Sequence, residues 1–268
     1  MKTKHTLIIL VGIVVIFIVL SFVSDSNKER IDIAGSTSVQ PLVEDLAAAY
    51  SENHSNLQIN VQGGGSGMGI RSVSQGIADI GMSSKKLSDD EKGDMNVIEL
   101  GKEGIVIGVH NKNNISDLST EQIKKIFCGE ITNWKEVGGS DEEIHVVTRE
   151  DGSGTRSAFE SMVMDDKKIR DDAIVQSSTE SVKQAVSTDP GAIGYMSLAH
   201  MSNDVKPLTI NGVTASEKNI ANGKYELQRP FLIITEKNTS PEVDNFINWI
   251  KSPAGTQIIK DAKIVPSI

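Results

Sequence analysis

Three short stretches rich in glycine and hydroxyl side chains carry the residue types that bind anions: Gly35-Ser-Thr-Ser38, Gly63-Gly-Gly-Ser-Gly67 and Gly152-Ser-Gly-Thr155. Each follows an apolar, strand-like run and precedes a helical pattern, which puts it at a helix N-terminus. There, unpaired backbone N–H groups and about half a unit of positive charge face an incoming anion. Glycine lets the backbone come close, and Ser and Thr hydroxyls add donors without bulk. One such loop is an ordinary helix cap; three in one chain point to a shared ligand. Arg149, just ahead of the third loop, has a planar guanidinium suited to a tetrahedral oxyanion, and Asp151 is spaced to orient it.

Other chemistries fit less well. The chain has neither a strict GxGxxG nor a GxxxxGK[ST] segment, and Ser66 and Ser153 lack the GxSxG frame of a nucleophile elbow. The five histidines (positions 5, 54, 110, 145 and 200) are widely separated, with no HExxH, so a zinc site or a Ser-His pair has little support. The expectation is a binding protein rather than an enzyme, with no cofactor and no metal. A single cysteine, Cys128, permits no internal disulfide and is read as a structural residue at a helix end; Trp134 is read as a packing residue or the border of a cleft. With 36 acidic against 27 basic residues, the formal charge of −9 argues against a nucleic-acid partner.

The elements that must position these loops alternate between short apolar strands and helical patterns, an α/β organisation. Strands are expected at 31–34, 57–61, around 79–84, at 105–109, 145–149 and 230–235, with a turn and strand over 190–195; helices are expected at 42–52, from Gly69 to Gly76, at 120–127, after Arg156 through Val163, at 178–187 and 240–251, with a last one from 253. Ile105–Val109 is continuously apolar, as in a strand covered on both faces. Ser240-Pro241 and Ser252-Pro253 both place a serine cap ahead of a proline in the first helical turn. The length suits one large or two modest domains.

The first 27 residues differ from the rest. They hold +1 of the formal charge (Lys2 and Lys4 against Asp25), which leaves −10 for the remainder, and Thr6–Val23 is uncharged and strongly apolar. That run approaches the length of a membrane-spanning helix, and the lysines ahead of it place the following chain outside the cytoplasm. An uncleaved signal anchor is favoured over a cleaved signal, because Ser24-Asp-Ser-Asn27 is not a small-x-small cleavage site. The body is therefore expected on the extracytoplasmic face of the cell membrane, or secreted if the segment is removed.

Taken in order, Ala34-Gly-Ser-Thr-Ser-Val-Gln-Pro-Leu42, Gly63-Gly-Gly-Ser-Gly67, Ala78-Asp-Ile-Gly-Met-Ser-Ser84, Gly129-Glu-Ile-Thr-Asn-Trp134, Arg149-Glu-Asp-Gly-Ser-Gly-Thr-Arg156 and Gly191-Ala-Ile-Gly-Tyr195 resemble the substrate-binding components of phosphate ABC transporters, PstS-like proteins of the periplasmic-binding-protein type II fold. The resemblance implies two α/β lobes joined by two crossing strands, near Val109–Asn111 and Arg229–Phe231. After an anchor and linker at 1–27, one lobe would comprise 28–109 with 230–268 and the other 110–229. It implies that Ser36, Thr37, Ser38, Ser66, Ser84, Arg149, Ser153, Gly154 and Thr155 bind inorganic phosphate, with Asp151 holding Arg149 and with Arg156 and Asp79 in support. The implied partners are the permease subunits of an ABC transporter and, through the anchor, the membrane; the implied state is a monomer.

One position departs from the pattern. Members of the family commonly carry an aspartate where this chain has Ser84; it takes the proton of hydrogen phosphate and so rejects sulfate. Asp79 and Asp151 are the candidate substitutes, and phosphate is expected to remain the preferred ligand. The alternatives are another oxyanion (sulfate, molybdate or tungstate), an extracytoplasmic phosphatase, or an anchored adhesion or scaffold module whose loops are only helix caps.

Overall fold

The computed structural model describes residues 29–268. The anchor expected at 1–27 lies outside them, and among the described residues no helix is long and apolar enough to cross a membrane. Twelve strands are described. The first four are β1 (Glu29–Gly35), β2 (Leu57–Gly63), β3 (Ile80–Ser83) and the long β4 (Asn96–His110). In the middle come β5 (Asp117–Leu118), β6 (His145–Arg149), β7 (Ile174–Gln176), β8 (Ala192–Ser197), β9 (Val205–Pro207) and β10 (Thr209–Ile210). Finally β11 (Gln228–Thr235) returns to the beginning and β12 (Val265–Pro266) ends the chain.

The main sheet runs β2-β1-β3-β11-β4-β8-β6-β7, with β9 and β12 also pairing with β4 and a separate β5–β10 ladder. β1 is parallel to β2 and β3, and β6 to β7 and β8, whereas β4 and β11 are antiparallel to each other. β4 is shared by two lobes: Asn96–Gly104 pairs with β11, and Ile105–Val109 pairs with β8. The change of partner falls at Gly104 and Ile105, where the Ile105 amide donates to the Leu227 carbonyl. Val109–Asn111, the expected crossing, instead lies at the far end of β4, where Val109 and His110 pair with β9. The apolar run Ile105–Val109 marks only the second half of β4; its first half, from Asn96 to Lys102, is partly exposed and mixed in polarity, so hydropathy does not show that the same strand begins in the first lobe. On the return strand, Gln228 and Arg229 stand opposite Gly104 and Glu103, close to the expected position.

Each lobe has its own core. Ile31, Ile33, Val39, Leu46, Ile80, Phe231 and Phe246 fill one; Ile107, Phe127, Trp134, Phe159 and Tyr195 fill the other. Trp134 is buried and donates its indole N–H to the Gly191 carbonyl at 3.1 Å, so it packs the lobe rather than bordering a cleft. Cys128 closes the helix Thr120–Phe127, as expected. Ser240 and Ser252 cap their helices by accepting from the Val243 and Gly255 amides. The helix Gln40–Ser51 starts two residues earlier than the hydropathy pattern implied and has no side-chain cap; the Ser36 carbonyl takes the Val39 and Gln40 amides instead.

Candidate anion-binding site

Each predicted loop leaves the end of a parallel strand and enters a helix, and the two lobes bring these ends face to face. From the first lobe come the turn after β1 and the helix Ser66–Ser74; from the second, the helices Gly154–Phe159 and Thr179–Thr188. Gly35, with φ of +140°, ends β1 so close to β3 that a Cβ there would lie 2.3 Å from the Met82 carbonyl oxygen. Its own carbonyl accepts the Gly64 and Gly65 amides, which sets the second loop against the first.

Ser36, Ser38, Ser66, Ser84, Arg149, Ser153, Thr155 and Thr179 are all at most 2% exposed, a dense set of buried donors. The Ser36 hydroxyl donates to Ser84 Oγ at 2.9 Å, and the Ser84 amide donates to Ser66 Oγ at 3.1 Å. Across the lobes, Ser38 Oγ lies 2.9 Å from Thr155 Oγ1 and 2.8 Å from Thr179 Oγ1, and the Gly67 amide donates to the Gly152 carbonyl at 3.0 Å. The Thr179 amide donates to Thr37 Oγ1 at 3.3 Å. Gly154 sits tight against the opposite lobe: a Cβ there would come within 2.1 Å of Ser66 Oγ and 2.7 Å of Ser84 Oγ. The expected residues Ser36, Thr37, Ser38, Ser66, Ser84, Gly154 and Thr155 therefore converge on one point between the lobes.

Arg149 reaches this cluster through Thr179, donating from Nη1 to Oγ1 at 3.2 Å. Its carboxylate clamp is Glu150, not Asp151. Nε and Nη2 donate to the two Glu150 oxygens at 2.8 and 2.9 Å, a bidentate pairing that fixes the plane of the guanidinium. The Asp151 side chain is 97% exposed and pairs with Arg156 Nη1 at 2.8 Å, because it leads the turn and points to solvent. Arg156 also pairs with Glu160 and donates to the Arg149 carbonyl, so it braces the backbone behind the cluster. Ser153 is buried, but its hydroxyl accepts the Arg156 amide as a helix cap. Asp79 is not in the cluster: its carboxylate takes the Asp32 amide two residues before Ala34, lower on β1.

Four contributors went unread in the sequence. Thr179 follows β7 through Gln176-Ser-Ser-Thr179, the same strand, hydroxyl and helix order as the other three loops, so its signal was present. Glu150 was hidden beside the equally plausible Asp151. Glu103 and Arg229 lie 126 residues apart and meet only because β4 and β11 pair. Arg229 donates from Nε to Glu103 Oε1 at 2.7 Å and from Nη1 to Ser84 Oγ at 3.2 Å. Burial pulls the Arg229 pKa below its ordinary value, while the Glu103 carboxylate pulls the other way. Tyr195 supports the floor by accepting the Arg149 amide; burial raises its pKa to about 12, so it stays a neutral phenol. Such an arrangement of neutral hydroxyls, helix N-termini and guanidiniums clamped by carboxylates is suited to hold a small oxyanion out of water.

A family model described as a PBP superfamily domain matches residues 23–254. The chain is 33% identical over 254 residues to the phosphate-binding protein PstS of Bacillus subtilis, covering 91% of this chain and 84% of that one. A Clostridium perfringens structure described as a phosphate ABC transporter substrate-binding protein with bound phosphate superposes with a TM-score of 0.87 at 34% identity, covering 90% of this chain and all of that one. A Vibrio cholerae ABC-type phosphate transport receptor gives a TM-score of 0.74 at 35% identity, over 88% of this chain and 99% of the other.

Proposed function

The chain belongs to the PBP superfamily, among its PstS-like phosphate-binding proteins, and from that membership we propose that it captures inorganic phosphate between its two lobes and delivers it to the permease of an ABC transporter. The observation that carries this reading is the meeting of four strand-to-helix loops, two from each lobe, around buried hydroxyls that touch across the cleft at 2.8 to 2.9 Å. A ligand replacing those interlobe hydrogen bonds with its own oxygens would make binding and closure one event, a hinge transition.

In this reading Ser36, Thr37, Ser38, Ser66, Ser84, Gly154, Thr155 and Thr179 supply amides or hydroxyls, and Arg149 supplies charge, with Glu150 holding it. Ser153 and Arg156 fix the third loop, and Asp79 and Asp151 serve elsewhere. The lobes divide at the observed change of sheet: residues 29–104 with 228–268, and 105–227. The protein works as a monomeric, non-catalytic receptor outside the cytoplasmic membrane, with the apolar start of the chain as its tether. Thermal melting of the full chain in mild detergent against phosphate, arsenate, sulfate and molybdate tests this. The largest rise is expected with phosphate or its isostere arsenate; a rise only with molybdate, or with none of the four, would overturn it.

A further inference from the structure

Ser84 has more to do than contribute one hydroxyl, because of what already points at it. Its Oγ accepts the Ser36 hydroxyl at 2.9 Å and the Arg229 Nη1–H at 3.2 Å. A serine oxygen has two lone pairs, so both acceptor positions are taken and the remaining capacity of Ser84 is its own hydrogen. Ser66 Oγ lies 3.5 Å from Ser84 Oγ, toward the middle of the loop cluster, where that hydrogen has an acceptor to meet.

Arg229 cannot readily turn away. It is 3% exposed, Glu103 stands opposite it on the neighbouring strand, and its Nε donates to Glu103 Oε1 at 2.7 Å. Glu103 is fully buried and is itself held from the other lobe, accepting the Ser197 hydroxyl at 2.7 Å and the Leu198 amide at 3.0 Å on Oε2. Around the cluster, the remaining carboxylates already serve other donors: Glu150 takes Arg149, Asp151 takes Arg156, and Asp79 takes the Asp32 amide.

We propose that Arg229, positioned by Glu103, is a specificity-determining residue of the anion site: by occupying the acceptor side of Ser84 it makes position 84 a donor only. This rests on the phosphate reading above. Position 84 then has neither a carboxylate nor a free lone pair to take the proton of hydrogen phosphate, and hydroxyls such as Ser38 and Thr155 are the weaker acceptors left beside it. Phosphate is still bound, but a fully deprotonated tetrahedral dianion of the same size, sulfate, competes far better than it would against an acidic acceptor. A site built around a substrate hydrogen-bonding group rejects an analogue lacking it by about 10⁴-fold, whereas here the expected preference for phosphate over sulfate is below about 10²-fold.

Competition calorimetry on the full chain, phosphate against sulfate, tests the idea through the ratio of affinities, which a merely structural defect would not move. Wild type is expected to bind phosphate and to show sulfate displacing it at moderate excess. Ser84→Asp supplies the missing acceptor and is expected to raise the phosphate-to-sulfate ratio by at least about 100-fold. Arg229→Met combined with Glu103→Gln removes the buried pair together, frees a lone pair on Ser84, and is expected to raise the ratio by about tenfold even as both affinities fall. Should the double variant fail to give a cooperative melt, Ser84→Asp decides alone. Phosphate binding by wild type with sulfate excluded, or with a ratio unchanged in the variants that fold, overturns the role of Arg229 and leaves the phosphate reading standing. Failure of wild type to bind phosphate at all sinks that reading, and this one with it.

Discussion

Arg149 shows how a single residue could be identified from sequence while its partner could not. An arginine ahead of a Gly-Ser-Gly-Thr loop is conspicuous, and its burial at 2% exposure matches that reading. Which of two adjacent carboxylates clamps it is decided by the turn, which faces Glu150 inward and leaves Asp151 in solvent. Arg149→Ala is therefore expected to weaken phosphate by about 2–5 kcal/mol, since anionic oxygens would be left without their charged donor in a dry cleft. Asp151→Asn, by contrast, is expected to leave the affinity within about twofold, because its carboxylate stands in solvent, where an ion pair contributes little. Calorimetry on both variants checks the pair of expectations.

At the scale of elements, three of the four converging loops were legible because glycine is their marker, and the fourth was missed because Ser177-Ser-Thr179 contains none. The change of partner at Gly104 falls several residues before the expected crossing for a related reason: hydropathy marks the buried Ile105–Val109, whereas the first-lobe half of β4 is partly exposed and leaves no such trace. Gly154 is the point where one element nearly touches another. Gly154→Ala is expected to weaken phosphate by at least about tenfold, because the added methyl would wedge against Ser66 and Ser84 whenever the lobes close. The melting temperature without ligand should hardly change, since each lobe keeps its core; a large fall would place the damage inside a lobe.

His200, in the short turn after β8, gives an element-level expectation in pH. Burial lowers its pKa from 6.5, and Lys183 adds to this, while Glu103, Glu180 and a hydrogen bond to the Ser38 carbonyl oppose it. A group with a depressed folded pKa contributes stability present above its unfolded value and lost as pH falls through the folded one. Melting temperature should thus decline below about pH 6.5, and His200→Gln should flatten that decline. Parallel curves for the two proteins would show that His200 does not titrate on unfolding.

Over the whole molecule, an acidic body is asked to hold an anion. Charge is screened within about 10 Å at 0.1 M salt, so the −10 beyond residue 27 slows long-range approach more than it weakens a cage of local dipoles. The two-lobed plan was legible from the alternation of strands and helices together with the resemblance. The Glu103–Arg229 pair, which no local pattern could reveal, exists only once β4 and β11 are side by side. The most direct test of the account is titration calorimetry of the full chain with inorganic phosphate. A saturable isotherm with one phosphate per chain, tighter than about 10 μM (about −7 kcal/mol), is the predicted result. No saturable heat up to millimolar phosphate, from protein that melts cooperatively, would contradict it.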